Sequence, residues 1–112
     1  MFDPVDFLHL AEKLMKERNE ASIRTSISRA YYASFLIAKD KLSIMLKPPD
    51  VHKEVIKQLY KLSPIAGNSL HNLRRLRNTA DYDIKTKVTA NEGDTALKLA
   101  KLVILEMEKI KI

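Results

Sequence analysis

Cysteine is absent from the chain, and glycine nearly so, with two residues in 112. Without a thiol there is no disulfide staple, no thiolate metal site and no cysteine nucleophile. The same absence suits a reducing compartment. Two glycines, one at a turn and one near a helix start, cannot build a phosphate-cradling loop, which excludes the usual nucleotide and dinucleotide sites. No apolar run approaches the roughly 18 residues that a membrane span needs. The opening "MFDPVDFLHLAEKLMKER" also lacks the basic start and apolar stretch of a secretory signal. A soluble, cytoplasmic protein with no membrane partner is expected. His9, His52 and His71 stand alone, none with a second ligand at helical spacing, so no metal and no cofactor is expected. No serine lies in a motif that would pair it with a histidine and a carboxylate.

What is present is the composition of a folded helical domain, 46% hydrophobic and 30% charged. A chain of 112 residues suffices for one core that buries about 65% of its unfolded surface, so residues 1–112 are read as a single domain. Twenty Lys and Arg against fourteen Asp and Glu give a net charge of +6, which favours an anionic partner such as nucleic acid, or an acidic protein. The lysines are spread over the chain, whereas Arg74, Arg75 and Arg77 are packed together.

Periodicity divides the chain into five helices. Asp3 before Pro4 predicts a start, with helix one running to about Arg18 and Phe7, Leu10, Ala11 and Leu14 on its inward face. Ile23 to about Lys47 is apolar nearly all round through "AYYASFLIA", which places it in the middle of a bundle, and "KPPD" is expected to end it. Helix three follows from about Val51 to Leu62, with Val51, Val55, Ile56, Leu59 and Leu62 inward. "SPIAGN" reads as a break before a fourth helix carrying Leu70, Leu73, Leu76 and Ala80. "DIKTKVT" is predicted to be the longest and most mobile connection, and Thr89 with Glu92 a capping box for the last helix. No strand or repeat is evident. The fold class predicted is all-α, an up-and-down bundle of four to five helices around the long second one.

Two stretches carry candidate chemistry. In "ISRAYYASF", Tyr31 and Tyr32 read as core residues with hydroxyls satisfied at the bundle edge. Arg29 beside them needs an anionic partner, for which Asp81 and Asp83 are candidates. In "LRRLRNTADYD", helical spacing lines Arg74, Arg77 and Asp81 along one face, where Arg77 and Asn78 can present several donors to a phosphate. The simpler reading of this face is an intrahelical Arg77–Asp81 pair.

"SRAYYASFLIAKDKL" followed by "LRRLRNTADYD" resembles the HEPN superfamily, and within it the small single-domain archaeal and bacterial members with an Arg-Ala-Tyr-Tyr-Ala helix and an Arg…Ala-Asp-Tyr motif. The resemblance covers almost the whole chain. It implies a helical bundle, a homodimer, and for many members a metal-independent ribonuclease in which an arginine, a polar follower and a histidine four to six residues on meet their copies across the dimer. It also implies a toxin-like protein encoded beside a minimal nucleotidyltransferase antitoxin. Carried over, Arg77 is the motif arginine and Asn78 the polar follower, while Tyr82 stands where the histidine would. A phenol with a pKa near 10 is a poor base at neutral pH, so Tyr82 favours binding, by stacking or hydrogen bonding, over cleavage. The site so expected comprises Arg77, Asn78 and Tyr82 with Arg29, Tyr32, Arg74 and Asp81 around them, and His71 as a substitute base. Two other readings remain: a non-catalytic dimer serving as a protein-interaction module, and Tyr82 as the acceptor of a nucleotide from the partner.

Overall fold

The Asp3 carboxylate accepts the Val5 N–H at 3.0 Å and so starts the first helix as its sequence demands. In the computed structural model, which describes residues 1–45 and 50–110, five helices follow: α1 Val5–Met15, α2 Glu20–Lys41, α3 Asp50–Leu62, α4 Pro64–Tyr82 and α5 Ala90–Lys109. The described residues contain no strand. The helices form an up-and-down bundle in which α2 touches all four others.

That central position follows from the small, apolar surface of α2. Ile23, Ile27, Ala30, Tyr31, Ala33, Phe35 and Ala38 are all buried, and against them pack Leu8 and Ala11 of α1, Leu70 and Leu73 of α4, and Ala96, Ala100 and Val103 of α5. Each large side chain so enclosed contributes about 1.5–3 kcal/mol. The Ser26 hydroxyl, fully buried, donates to the Ala11 carbonyl at 2.7 Å and ties α1 to α2 without leaving a polar atom unpaired.

Several boundaries differ from the periodicity reading. Helix α1 ends at Met15, short of Arg18, which has a left-handed φ of 55°. Helix α2 starts at Glu20 because Asn19 accepts the Ser22 N–H at 2.8 Å. It stops at Lys41, well before Lys47: Ser43 adopts φ 54°, its N–H bonds Asp40 O, and the Ile44 N–H bonds Lys39 O, the paired arrangement that closes a helix end. Burial of Ile44 holds the turn in place. The prolines expected to end this helix, Pro48 and Pro49, lie outside the described residues. Leu10 and Leu62 were expected inward and are exposed.

"SPIAGN" holds the expected break, but only at Ser63; the rest of it is already helix. Ser63 caps α4 by accepting the Ala66 N–H at 3.1 Å, and Pro64 takes the first helical position, where a missing N–H costs nothing. Gly67 then sits inside the helix for a packing reason: a Cβ there would lie 2.4 Å from Tyr60 Cα, so α3 and α4 cross backbone to backbone at this point. The Thr89–Glu92 capping box of α5 is formed in both directions.

Because the atoms that a Gly67 Cβ would meet are the backbone N and Cα of Tyr60 and its Cβ, none of them the end of a flexible side chain, Gly67→Ala is expected to destabilise by about 1–3 kcal/mol through overpacking, despite alanine's better helix propensity. A urea-denaturation midpoint equal to or above the native one would contradict this crossing.

Candidate functional site

Arg77 lies on the inward edge of α4, only 9% exposed, and a guanidinium so placed must find partners. It finds three. Nε donates to Asp81 Oδ2 at 2.9 Å, Nη1 to Asn78 Oδ1 at 3.1 Å, and Nη2 to the Tyr32 hydroxyl at 2.6 Å. Asp81 is one turn on in the same helix, Asn78 is the next residue, and Tyr32 reaches across from α2. Three rings surround the group, with Arg77 Cζ 5.1 Å from the Tyr32 centroid and 5.5 Å from those of Tyr31 and Tyr82.

The network extends along α2. Ser28 donates to Asp81 Oδ2 at 3.2 Å, and Arg29 Nη2 donates to the Ser28 oxygen at 3.2 Å. Arg29 Cζ lies over Phe7 at 5.0 Å and Tyr32 at 5.1 Å. The expectation that Asp81 or Asp83 would pair directly with Arg29 is therefore corrected. No carboxylate of the described residues lies within ion-pair distance of it; Asp81 is reached through Ser28 and belongs to Arg77. Asp83 turns away and caps its own loop, accepting from the Thr86 hydroxyl and from the N–H groups of Lys85 and Thr86, which hold its carboxyl below the usual value.

Two residues that sequence reasoning passed over complete the cluster. His52, in the first turn of α3, places Nδ1 2.7 Å from the Tyr31 hydroxyl and stacks on Phe35 with centroids 4.4 Å apart. Burial, then the positive charges of Arg74 and Arg77, push its pKa below 6.5. Burial pushes the Tyr31 phenol well above its ordinary value, so it stays neutral. The pairing joins helices with unrelated spacing, and nothing in the sequence around His52 marks it. His71, the substitute base considered from sequence, is exposed and makes no hydrogen bond to any other described residue of the cluster.

Arg24 is the second. Its Nη1 donates to the carbonyls of Thr79, Ala80 and Asp83, Nη2 donates to Thr86, and Nε pairs with Glu20 at 3.0 Å. One side chain thus satisfies the carboxyl end of α4 and bonds to the 83–89 connection at Asp83 and Thr86. Val88 N–H on Glu20 Oε2, together with Arg24, lowers the Glu20 pKa.

Arg74 has its Nε buried without a partner among the described residues. Tyr82 is 71% exposed and Asn78 is exposed, so the cluster reaches the surface at the carboxyl end of α4. A groove of about 620 Å³ between α4 and α5, lined by Asn72, Arg75, Leu76, Asn78, Thr79, Thr95 and Leu99, shares Asn78 with it. A larger depression of about 740 Å³ near Phe2, Leu36 and Ile44 is lined by none of these groups. Among the described residues there is no cluster of three groups able to hold a metal ion, and no helix is long and apolar enough to cross a membrane.

Comparison with known proteins places a similar chain in an archaeon. An uncharacterized protein of Methanocaldococcus jannaschii is 34% identical over 110 residues, covering 77% of this chain. The alignment takes in 66% of that relative's length. No family model and no solved structure matches. The relative's name assigns no activity, so the chemistry rests on the cluster itself.

Removing the Arg77 side chain leaves Asp81, Tyr32 and three ring faces without their common partner. Arg77→Ala is expected to cost about 3 kcal/mol in thermal or chemical melts, with Arg77→Lys recovering only part because a lysine cannot bond three separate acceptors in one plane. His52 gives a second expectation. Its pKa is depressed in the folded state, so between that value and 6.5 the unfolded chain binds the proton more readily. The contribution of neutral His52 is whole above pH 6.5 and is lost as pH falls through the folded value. The melting temperature of the native protein should drop over that window more steeply than that of His52→Gln.

Proposed function

We propose that this chain is an RNA-directed protein of the HEPN kind, acting as a homodimer and as the toxin-like member of a pair with a minimal nucleotidyltransferase, with metal-independent endoribonuclease activity. The observation that carries this reading is the charge of the cluster. Arg29, Arg74 and Arg77 converge on it, and among the described residues a single carboxylate, Asp81, is in contact with any of them. Of the five N–H donors of Arg77, three are used among the described residues, which leaves one on each terminal nitrogen as a donor for an anion. Exposed Tyr82 offers a face on which a base can stack. The chain's positive balance adds a general attraction to a polyanion.

A second reading, the non-catalytic interaction module, is favoured by one observation: Arg77 is buried and partnered, as a structural residue is. The two separate in a binding experiment. With labelled single-stranded RNA at low salt and chelator present, Arg74→Gln and Arg29→Gln should weaken binding and each reduce the slope of log affinity against log salt by about one, while melts stay near native. Equal affinity for all three proteins, or no binding by the native chain, would move the weight to the interaction module. Gel filtration of the native chain at the mass of a monomer would remove the dimer from either reading.

A further inference from the structure

The groove between α4 and α5 meets the arginine cluster at Asn78, which lines the one and accepts from Arg77 Nη1 at 3.1 Å in the other. We propose that this groove holds one unpaired base of an RNA strand whose neighbouring phosphate lies on the arginine cluster. The proposal deepens the RNA-directed reading and rests on it.

The lining has the chemistry that a base needs. At about 620 Å³ the groove falls within the roughly 300–1,000 Å³ of small-molecule sites. Leu76 and Leu99, one from each helix, are half-buried and give it apolar surface against which a flat ring can lie. Beside them Asn72, Arg75 and Thr95 are exposed, and their side chains make no hydrogen bond to another described residue. Asn72 and Thr95 each carry a donor and an acceptor, which is what the mixed donors and acceptors of a base edge require. Asn78 is more restricted. With Oδ1 committed to Arg77, it has only amide N–H groups to offer, and these suit a carbonyl oxygen or ring nitrogen of the base.

Charge and spacing favour a nucleotide over an uncharged ring. No carboxylate lines the groove, and Arg75 brings a positive charge to it. Around α4, at about 3.6 residues per turn, the side chains succeed one another as Arg77, Asn78, Tyr82, Arg75 and Thr79, an order that leads from the cluster into the groove. Arg77 and Arg75 thus stand on opposite sides of Asn78, one for each of the phosphates that flank a nucleoside. Exposed Tyr82 lies between Asn78 and Arg75 in this order, so a strand entering the groove passes its ring. At about 1.5 Å per residue, Asn72 and Tyr82 are about 15 Å apart along the helix, enough for one base on Tyr82 and another in the groove.

The test uses the full chain, a labelled single-stranded oligoribonucleotide, and a strand of the same length whose riboses carry no bases. Thr95→Phe places a ring in the groove and leaves the arginine cluster untouched; because Thr95 is exposed, melts should stay near native. Its affinity for the oligoribonucleotide should fall about tenfold with the slope of log affinity against log salt unchanged, and its affinity for the baseless strand should equal that of the native chain. If Thr95→Phe folds poorly, Asn72→Leu keeps the size of the side chain and removes its amide, and should weaken binding of the oligoribonucleotide alone by about threefold or more. Arg75→Gln should instead reduce the salt slope by about one for both strands. In an NMR titration of the native chain, a nucleoside 5′-monophosphate should shift the side-chain amide resonances of Asn72 and Asn78, and ribose 5-phosphate should leave that of Asn72 in place. Native affinity for RNA in both Thr95→Phe and Asn72→Leu overturns the groove assignment and leaves the RNA reading intact. So does a loss in Thr95→Phe that is as large for the baseless strand, or an equal shift of Asn72 by ribose 5-phosphate, since the groove would then hold backbone alone. A native chain that binds neither strand removes the RNA reading and the groove assignment with it.

Discussion

A guanidinium inside a helical bundle sets the terms for everything around it. Arg77 can be buried only because one helical turn supplies Asp81, the next residue supplies Asn78, and the neighbouring helix supplies Tyr32 at the right height. Apolar side chains such as Leu70 and Leu73 press α4 against α2 but tolerate small slides along it. The hydrogen bond from Arg77 to Tyr32, and that from Ser28 to Asp81, do not, because a slide of about an ångström would break them and leave a buried charge under-bonded. Packing brings these helices together, and the polar cluster fixes their register.

Arg24 supplies the complementary restraint. A helix ends with carbonyls that its own backbone cannot satisfy, and at the end of α4 these are the groups beside Asp81 and Tyr82. By taking the carbonyls of Thr79, Ala80, Asp83 and Thr86 together, Arg24 holds that end in place and turns the chain toward the capping box of α5. Its own charge is met by Glu20, which also accepts the Val88 N–H. Two arginines on different helices thus set the two elements of the candidate site, one from inside the bundle and one from its end.

The sequence made the bundle legible because helical periodicity reports burial along a single element. The all-round apolar surface near Tyr31, the stripe through Leu70, Leu73 and Ala80, and the Thr89–Glu92 box all describe neighbours three or four residues apart. The Arg77–Asp81 pair was legible for the same reason. Periodicity fails where a local conformation or a distant contact decides. Ser43 ends α2 through a left-handed turn that serine rarely signals, and Gly67 looked like a breaker because its reason for being there is Tyr60, on another helix. His52 was passed over because its spacing was weighed for metal ligands, while its actual partner, Tyr31, lies 21 positions away across a connection. Arg24 shows only its pairing with Glu20 at helical spacing; its role at the end of α4 carried no signal, since those acceptors are backbone carbonyls more than fifty residues further on.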